Sequence, residues 1–342
     1  MSRLRGELRT GPADEKNAGH YKHFSPRRVT GQAARCTVWP FRPGNGAVHG
    51  CNKEVVMFAR FGKDASSLLG VEIASDSVRI AQVRRRRGRY EQLVWALQPF
   101  EPISPGNGWQ DPERVVAALR SAFQQSGSRQ RRAAVALPAS QVICKLCQLP
   151  VHQAPSQMEA QLLAEADRLF PFPLEDLALD FQVLGASQLQ PGCQDVLVAA
   201  SRQSALQPLA AAFESAGLEL EVVEVDSIAL RRLMPRQAND AAALLRIEPG
   251  GATLHGWLGG TLPLRRELLA GAVPGLPGDV FAEGKGPEEV LVVGAPATGQ
   301  GSLVQMSEDL GLPCRPLPPV AGVDCSDGSM ALAFALAMGS VH

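Results

Sequence analysis

Leu69-Gly70-Val71-Glu72-Ile73-Ala74-Ser75-Asp76-Ser77-Val78-Arg79 decides how the rest of the chain is read. Leu68 to Ile73 is a short apolar strand that ends at a polar turn, Ser75 to Ser77. Val78 to Val83 alternates as a second strand, and Arg84 to Arg87 with Gly88 makes the next turn. Tyr90 to Leu97 completes a β-meander. The arginine run reads as a solvated turn, with a membrane-facing patch as the alternative.

The last third of the chain repeats this logic. Ala243 to Ile247 is a strand, Pro249-Gly250-Gly251 a turn, and Thr253 to Leu258 a second strand. Gly259-Gly260 makes a tight hairpin, and Leu262 to Leu268 is a third strand. Between the two meanders, the spacing predicts helices over Asp111 to Gln125, Ser156 to Leu169 and Ser204 to Ala216. Ser156 is the expected cap of the second, with Glu159 three residues on. Strands are expected over Ala133 to Leu137, Val142 to Leu149, Leu177 to Leu184, Val196 to Ala200 and Leu220 to Val225. Val290 to Val293 is a late strand ending in Gly294, and Ser329 to Met338 is the closing helix.

Two such halves facing one another are the layout of the actin-like, ribonuclease H-like α/β fold. There the two turns enter one cleft, where backbone N–H groups cradle phosphates. A carboxylate at the end of the first strand holds magnesium through water. A glycine after a later strand lets a nucleotide approach the backbone. The corresponding positions are Glu72, Ser75, Asp76, Ser77, Gly250, Gly251 and Gly294.

Composition narrows the function. The chain has 342 residues and a formal net charge of zero, which excludes nucleic-acid binding driven by bulk charge. No apolar run reaches the length of a membrane span, and the basic N-terminus is not followed by the apolar core of a secretory signal. The expected compartment is the cytosol. Seven scattered cysteines do not form a secreted disulfide framework. Cys144 and Cys147 make a C-x-x-C, but on a strand, where residues three apart point to opposite faces, so ordinary packing is the reading. The histidines are isolated and read as structural or solvated. Residues 1–56 are rich in Arg, Gly and His and read as a disordered arm or a misassigned start ahead of Met57.

The 69–79 stretch resembles the opening L-G-I-D-I-G-S-S-S-V-K of the PilM family of type IV pilus assembly proteins, actin-like relatives of the cell-division protein FtsA. Glu165-Ala166-Asp167-Arg168-Leu169-Phe170-Pro171-Phe172-Pro173-Leu174-Glu175-Asp176-Leu177, leading to Asp180-Phe181-Gln182-Val183-Leu184, is similar to that family's E-A-x-x-x-I-P-F-P-L-E-E run and D-Y-x-V-L strand. The resemblance runs from about Leu68 to Met338. It implies a two-lobed fold with an inserted small α+β subdomain. By position, 57–132 is the first actin-like subdomain, 133–201 the insertion, and 202–342 a truncated second lobe with a C-terminal helix returning to the first.

The departures bear on chemistry. Glu72 and Ala74 replace the family's aspartate and glycine, and Asp76 adds a carboxylate where phosphate would sit. Arg246-Ile247-Glu248-Pro249 replaces D-I-G-A, losing the aspartate and an N–H donor. Val293-Gly294-Ala295-Pro296 replaces G-G-G-A, and Glu267 to Glu288 is short for the family's nucleotide-covering helices. The resemblance therefore implies a pseudo-ATPase without cofactor, ATP with magnesium being the alternative. It implies a cytoplasmic scaffold at the inner membrane that binds the N-terminal tail of a PilN-like membrane protein, and other platform proteins besides. The tail would lie in a groove between the first subdomain and the insertion, lined by the helix from Ser156.

Overall fold

The structure is a computed structural model and describes residues 67–87, 89–101, 112–235, 242–248, 251–268, 286–294, 300–320, 322–323 and 328–339. The expectations for 1–56, Asp111, Pro249, Gly250 and most of the 267–288 segment lie outside the described residues.

The first half runs β1 (Leu69–Ile73), β2 (Ser77–Arg86), β3 (Arg89–Pro99), α1 (Pro112–Ser126) and β4 (Arg132–Leu137). An insertion follows: β5 (Ile143–Pro150), α2 (Pro155–Ala164), α3 (Ala166–Leu169), β6 (Leu177–Ala186) and β7 (Cys193–Arg202). The half closes with α4 (Gln203–Ser215), β8 (Glu219–Val225) and α5 (Asp226–Leu230). The second half contains β9 (Ala242–Glu248), β10 (Gly251–Leu258), β11 (Leu262–Leu268), β12 (Glu289–Val293), α6 (Gln300–Leu310), β13 (Cys314–Pro316) and α7 (Ala331–Gly339).

The repetition read from the sequence is a repetition of topology. One sheet has the order β3-β2-β1-β4-β8 and the other β11-β10-β9-β12-β13. In each, the first three strands are antiparallel and the last two join in parallel. The parallel crossovers into β4, β8 and β13 run through α1, α4 and α6, respectively. β5-β7-β6 is a separate antiparallel sheet.

These pieces stack in layers. α1 and α4 cover one face of the first sheet, with Leu119, Leu209 and Phe213 in its core. α5 and α7 pack between the two sheets, where Leu68, Ala81 and Val83 of the first half meet Leu244, Trp257 and Leu291 of the second. Leu310 of α6 joins the outer core of the second sheet, with Ala243, Leu245 and Leu254. Every residue of α7 is buried, which explains its run of apolar residues without an amphipathic pattern.

Small side chains let α7 sit close to the first sheet. Gly70 is in register with Ala81 on one side and Ala134 on the other. A Cβ at Gly70 would lie 1.9 Å from the carbonyl oxygen of Ala333 and 2.5 Å from the nitrogen of Ala337. The glycine is thus required by helix-on-sheet contact.

Two expectations change. The helix placed over Ser156 to Leu169 starts at Pro155 and breaks at Glu165 into α2 and α3. Its N-cap is Ala154, whose backbone N–H donates to Gln157 Oε1 at 2.9 Å, so Ser156 does not cap it. Proline at the first helical position accounts for the earlier start. The boundaries drawn at 132/133 and 201/202 also divide the strands differently from the sheets. β4 and β8 pair with each other in the first sheet, so the small sheet is inserted between them. Hydrophobic runs locate strands, but pairing partners are set by the folded chain.

Candidate functional site

The β1–β2 turn and the end of β9 approach each other, and charged side chains fill the space between them. Glu72 lies on β1, Arg79 on β2, and Arg246 and Glu248 on β9. Glu72, Arg79 and Arg246 are buried. Arg246 Nη2 lies 2.7 Å from Glu72 Oε1 and donates to Oε2 at 2.9 Å. Arg79 Nη1 donates to Glu72 Oε1 at 3.4 Å and to Glu248 Oε1 at 2.5 Å. Arg246 Nη2 also reaches Glu248 Oε1, at 3.1 Å. One network therefore binds the first sheet to the second.

The segment leading into α7 completes it. Arg246 Nε donates to the carbonyl of Gly328 at 3.2 Å, and Arg79 Nη1 to that of Ser329 at 2.9 Å. Arg79 Nε donates to Ser77 Oγ at 3.1 Å, and Ser77 Oγ in turn to Asp76 Oδ1 at 2.9 Å. Burial pushes the Glu72 carboxyl up, with Arg246 and then Arg79 pulling against it. For Arg79 burial works against the charge, but the carboxylates of Glu72, Glu248 and Asp76 outweigh it and raise its pKa.

Among the residues singled out for nucleotide binding, Glu72, Asp76 and Ser77 come together here, and Ser75 is exposed at the turn. Gly251 begins β10 beside Glu248, with a φ of 150°, and Gly250 lies outside the described residues. Gly294 lies against the chain's own backbone. It has a φ of 133°, a Cβ there would lie 2.3 Å from the Ile247 carbonyl oxygen, and a Cβ at Gly328 would lie 2.6 Å from Gly294 Cα.

Sequence reasoning did not assign the two arginines to this site. The signal was a charged residue inside the apolar strand Ala243-Leu244-Leu245-Arg246-Ile247. A buried strand tolerates an arginine only where carboxylates or carbonyls meet it.

A second polar junction joins both halves beside the entry to the insertion. Asp226, at the start of α5, accepts from the backbone N–H of Ala139 at 2.9 Å and of Ser227 at 2.6 Å. Arg265 Nε of β11 lies 2.9 Å from its other oxygen. Ser227 Oγ is 2.9 Å from His255 Nδ1, and Trp257 Nε1 donates to the Ser227 carbonyl at 2.9 Å. Burial, then the charges of Arg246 and Arg265, pull His255 down to about 3, so its ring is neutral at neutral pH. Ser227 and His255 are both buried, so the pair is a joint between α5 and β10.

The Pro-Phe-Pro run also acquires a physical role. Phe170 is buried in the small-sheet core with Met158, Leu162 and Phe181. Asp176 accepts from the Ser204 backbone N–H at 2.8 Å and from Arg202 at 3.0 Å, tying the run to the start of α4. Met158, Leu162 and Ala166 are spent in the core, which leaves Ser156, Gln157, Ala160 and Ala164 as the exposed side of α2. The exposed apolar side chain on the edge strand β5 is Leu146. Cys144 packs toward the first-half core and Cys147 toward the small-sheet core, on opposite faces as the strand period requires.

Two sheets of equivalent order, with a helical layer between them and the β1–β2 turn meeting the end of β9 at their junction, define the actin-like fold. The sequence profile of the family described as "Type IV pilus assembly protein PilM" matches residues 70–244, just over half of the chain. The chain belongs to that family. Among solved structures it is similar to one described as "PilM-PilN type IV pilus biogenesis complex", at 23% identity and a TM-score of 0.63, over 82% of this chain and 100% of that one. Weaker similarity extends to the cytoplasmic domain of EpsL, a type II secretion component of Vibrio cholerae, at 17% identity and a TM-score of 0.45, over 81% of this chain and 97% of that one. A Bacteroides thetaiotaomicron protein with an actin-like ATPase fold matches at 11% identity and a TM-score of 0.41, over 81% of this chain and 97% of that one. Among the described residues, no helix is long and apolar enough to cross a membrane.

Proposed function

We propose that this PilM-family chain is a non-catalytic scaffold of the type IV pilus assembly platform, cytoplasmic and held at the inner membrane by the N-terminal tail of a PilN-like protein. The observation that carries the non-catalytic reading is the ion-pair network. Both oxygens of Glu72, the carboxylate expected to reach magnesium, are already engaged by Arg246. Arg246 stands where the family has its second aspartate, so a guanidinium takes the place of a cation between two carboxylates. Magnesium would have to displace it, and a triphosphate would meet Asp76 and Glu248. These residues do not fit ATP with magnesium.

The partner reading rests on family membership and on the solved PilM-PilN complex that the chain resembles. The apolar face of α2 is used internally, which moves the expected anchor point to Leu146 on the edge strand β5, where an extended tail gains backbone pairing as well as a side-chain contact. The test is calorimetric titration of the purified chain with a peptide of the cognate PilN-like N-terminus, with and without ATP and magnesium. Binding that is indifferent to nucleotide and weakened by Leu146→Glu is expected. Micromolar, magnesium-dependent ATP affinity lost in Glu72→Ala would restore the nucleotide switch.

A further inference from the structure

The β2–β3 hairpin is a concentrated positive charge on a chain of zero net charge. Arg84, Arg85, Arg86, Arg87 and Arg89 are all exposed, and a single carboxylate, Glu91, pairs with Arg84 among them. The pairing of β1 with β2 stops at Gly70 and Ala81, while β2 and β3 stay paired to Arg86 and Arg89. The arginines therefore stand on a ribbon that overhangs the sheet. Arg87 has a φ of 51°, a left-handed conformation in which glycine or asparagine is less strained. The hairpin thus carries a further charge at a position where turn geometry alone favours another residue.

A second feature continues the surface. Leu93, extruded by the bulge opposite Gln82 and Val83, and Trp95, two residues further along β3, are 41% and 55% exposed. An exposed aromatic ring on the same hairpin as a cluster of arginines suits the boundary between lipid headgroups and acyl chains. At Gln92 the edge backbone of β3 is already engaged, its N–H donating to the Gly322 carbonyl at 3.2 Å. What the surface offers is side chains: fixed positive charge and an apolar ring.

We infer that the β2–β3 hairpin and the exposed Trp95 form a docking surface for an anionic phospholipid bilayer. This stands independently of the pilus partner and of the nucleotide question. The arginines supply attraction to the negative leaflet, weakening as salt screens it. Trp95 and Leu93 supply the apolar contact that distinguishes a bilayer from a purely phosphate-lined partner such as duplex DNA.

The test uses the full chain in a flotation assay with vesicles of phosphatidylcholine alone and of equal parts phosphatidylcholine and phosphatidylglycerol. Wild type is expected to float with the anionic vesicles only. R85E/R86E/R87E lowers that partition roughly tenfold or more. Because these side chains are exposed, the variant is expected to keep its melting temperature. Vesicle addition shifts tryptophan emission to the blue in wild type and much less in Trp95→Phe. Undiminished flotation of the triple variant would assign binding to another segment, such as residues 1–66, and overturn the proposal. So would equal flotation with neutral vesicles, a blue shift unchanged in Trp95→Phe, or tighter binding to a duplex oligonucleotide than to anionic vesicles.

Discussion

Arg246 of β9 and Glu72 of β1, which are 174 residues apart in the chain, meet at 2.7 Å in the space between the two sheets. Each is a charged residue inside an apolar strand, and each is buried among groups of the opposite charge. The two halves of an actin-like fold are thereby joined by the chain's own side chains.

Removing one partner leaves the other charge buried. Arg246→Met is expected to destabilise the protein by about 3–5 kcal/mol, read as a lower urea midpoint with an unchanged slope. Adding Glu72→Gln should recover part of that loss, because the uncompensated carboxylate is then gone. If the double variant is no more stable than the single one, the two side chains are not coupled as the geometry requires.

Gly70→Ala tests the contact between β1 and α7. The added methyl group would overlap the backbone at Ala333 and Ala337, and neither helix nor strand can yield without breaking its own ladder. Overpacking of this kind typically costs about 1–3 kcal/mol, occasionally more. Thermal unfolding of Gly70→Ala and of Gly192→Ala, where a Cβ meets nothing within 4 Å, compares steric overlap with the backbone strain of a glycine at φ 83°. The first should lose more.

His255 makes stability depend on acid. Its folded pKa, about 3, lies below the ordinary value of 6.5, so the unfolded chain binds a proton first as pH falls. The stabilising contribution is complete above pH 6.5 and is lost as pH drops toward 3, at about 1.4 kcal/mol per pH unit. The difference in unfolding free energy between wild type and His255→Gln should therefore shrink steadily across that window. A difference independent of pH would mean that the ring is not the group being titrated.

Cys144 is expected to be inert in the folded protein. Burial pushes its thiol up to about 12, from 9.0, which cuts the thiolate fraction at mildly alkaline pH about a thousandfold. Alkylation followed by peptide mass spectrometry should show Cys144 modified in denaturant and spared in buffer. Rapid modification in buffer would contradict the packing of β5 against the first-half core.

Much of this architecture was legible because strands and helices write their own periods. Leu262 to Leu268 is a strand over the same residues in sequence and structure, and Gly259-Gly260 forms its turn with φ values of 59° and 75°. The doubled meander carried the fold class, and Phe170-Pro171-Phe172-Pro173 carried the family. Local chemistry suffices for these, since a tight hairpin loop needs residues that accept positive φ wherever it occurs.

What the folded chain alone decided are the contacts between segments distant in sequence. β4 and β8 enclose the inserted sheet because parallel pairing places them side by side, and no local pattern records the partner. Gly294 meets Gly328, and that meeting exists only once α7 returns between the sheets. Arg246 read as a lost aspartate; as the partner of Glu72 it is a charge that replaces a cation. Ion pairs and close backbone contacts depend on distances in space, which hydrophobic periodicity along the chain does not encode.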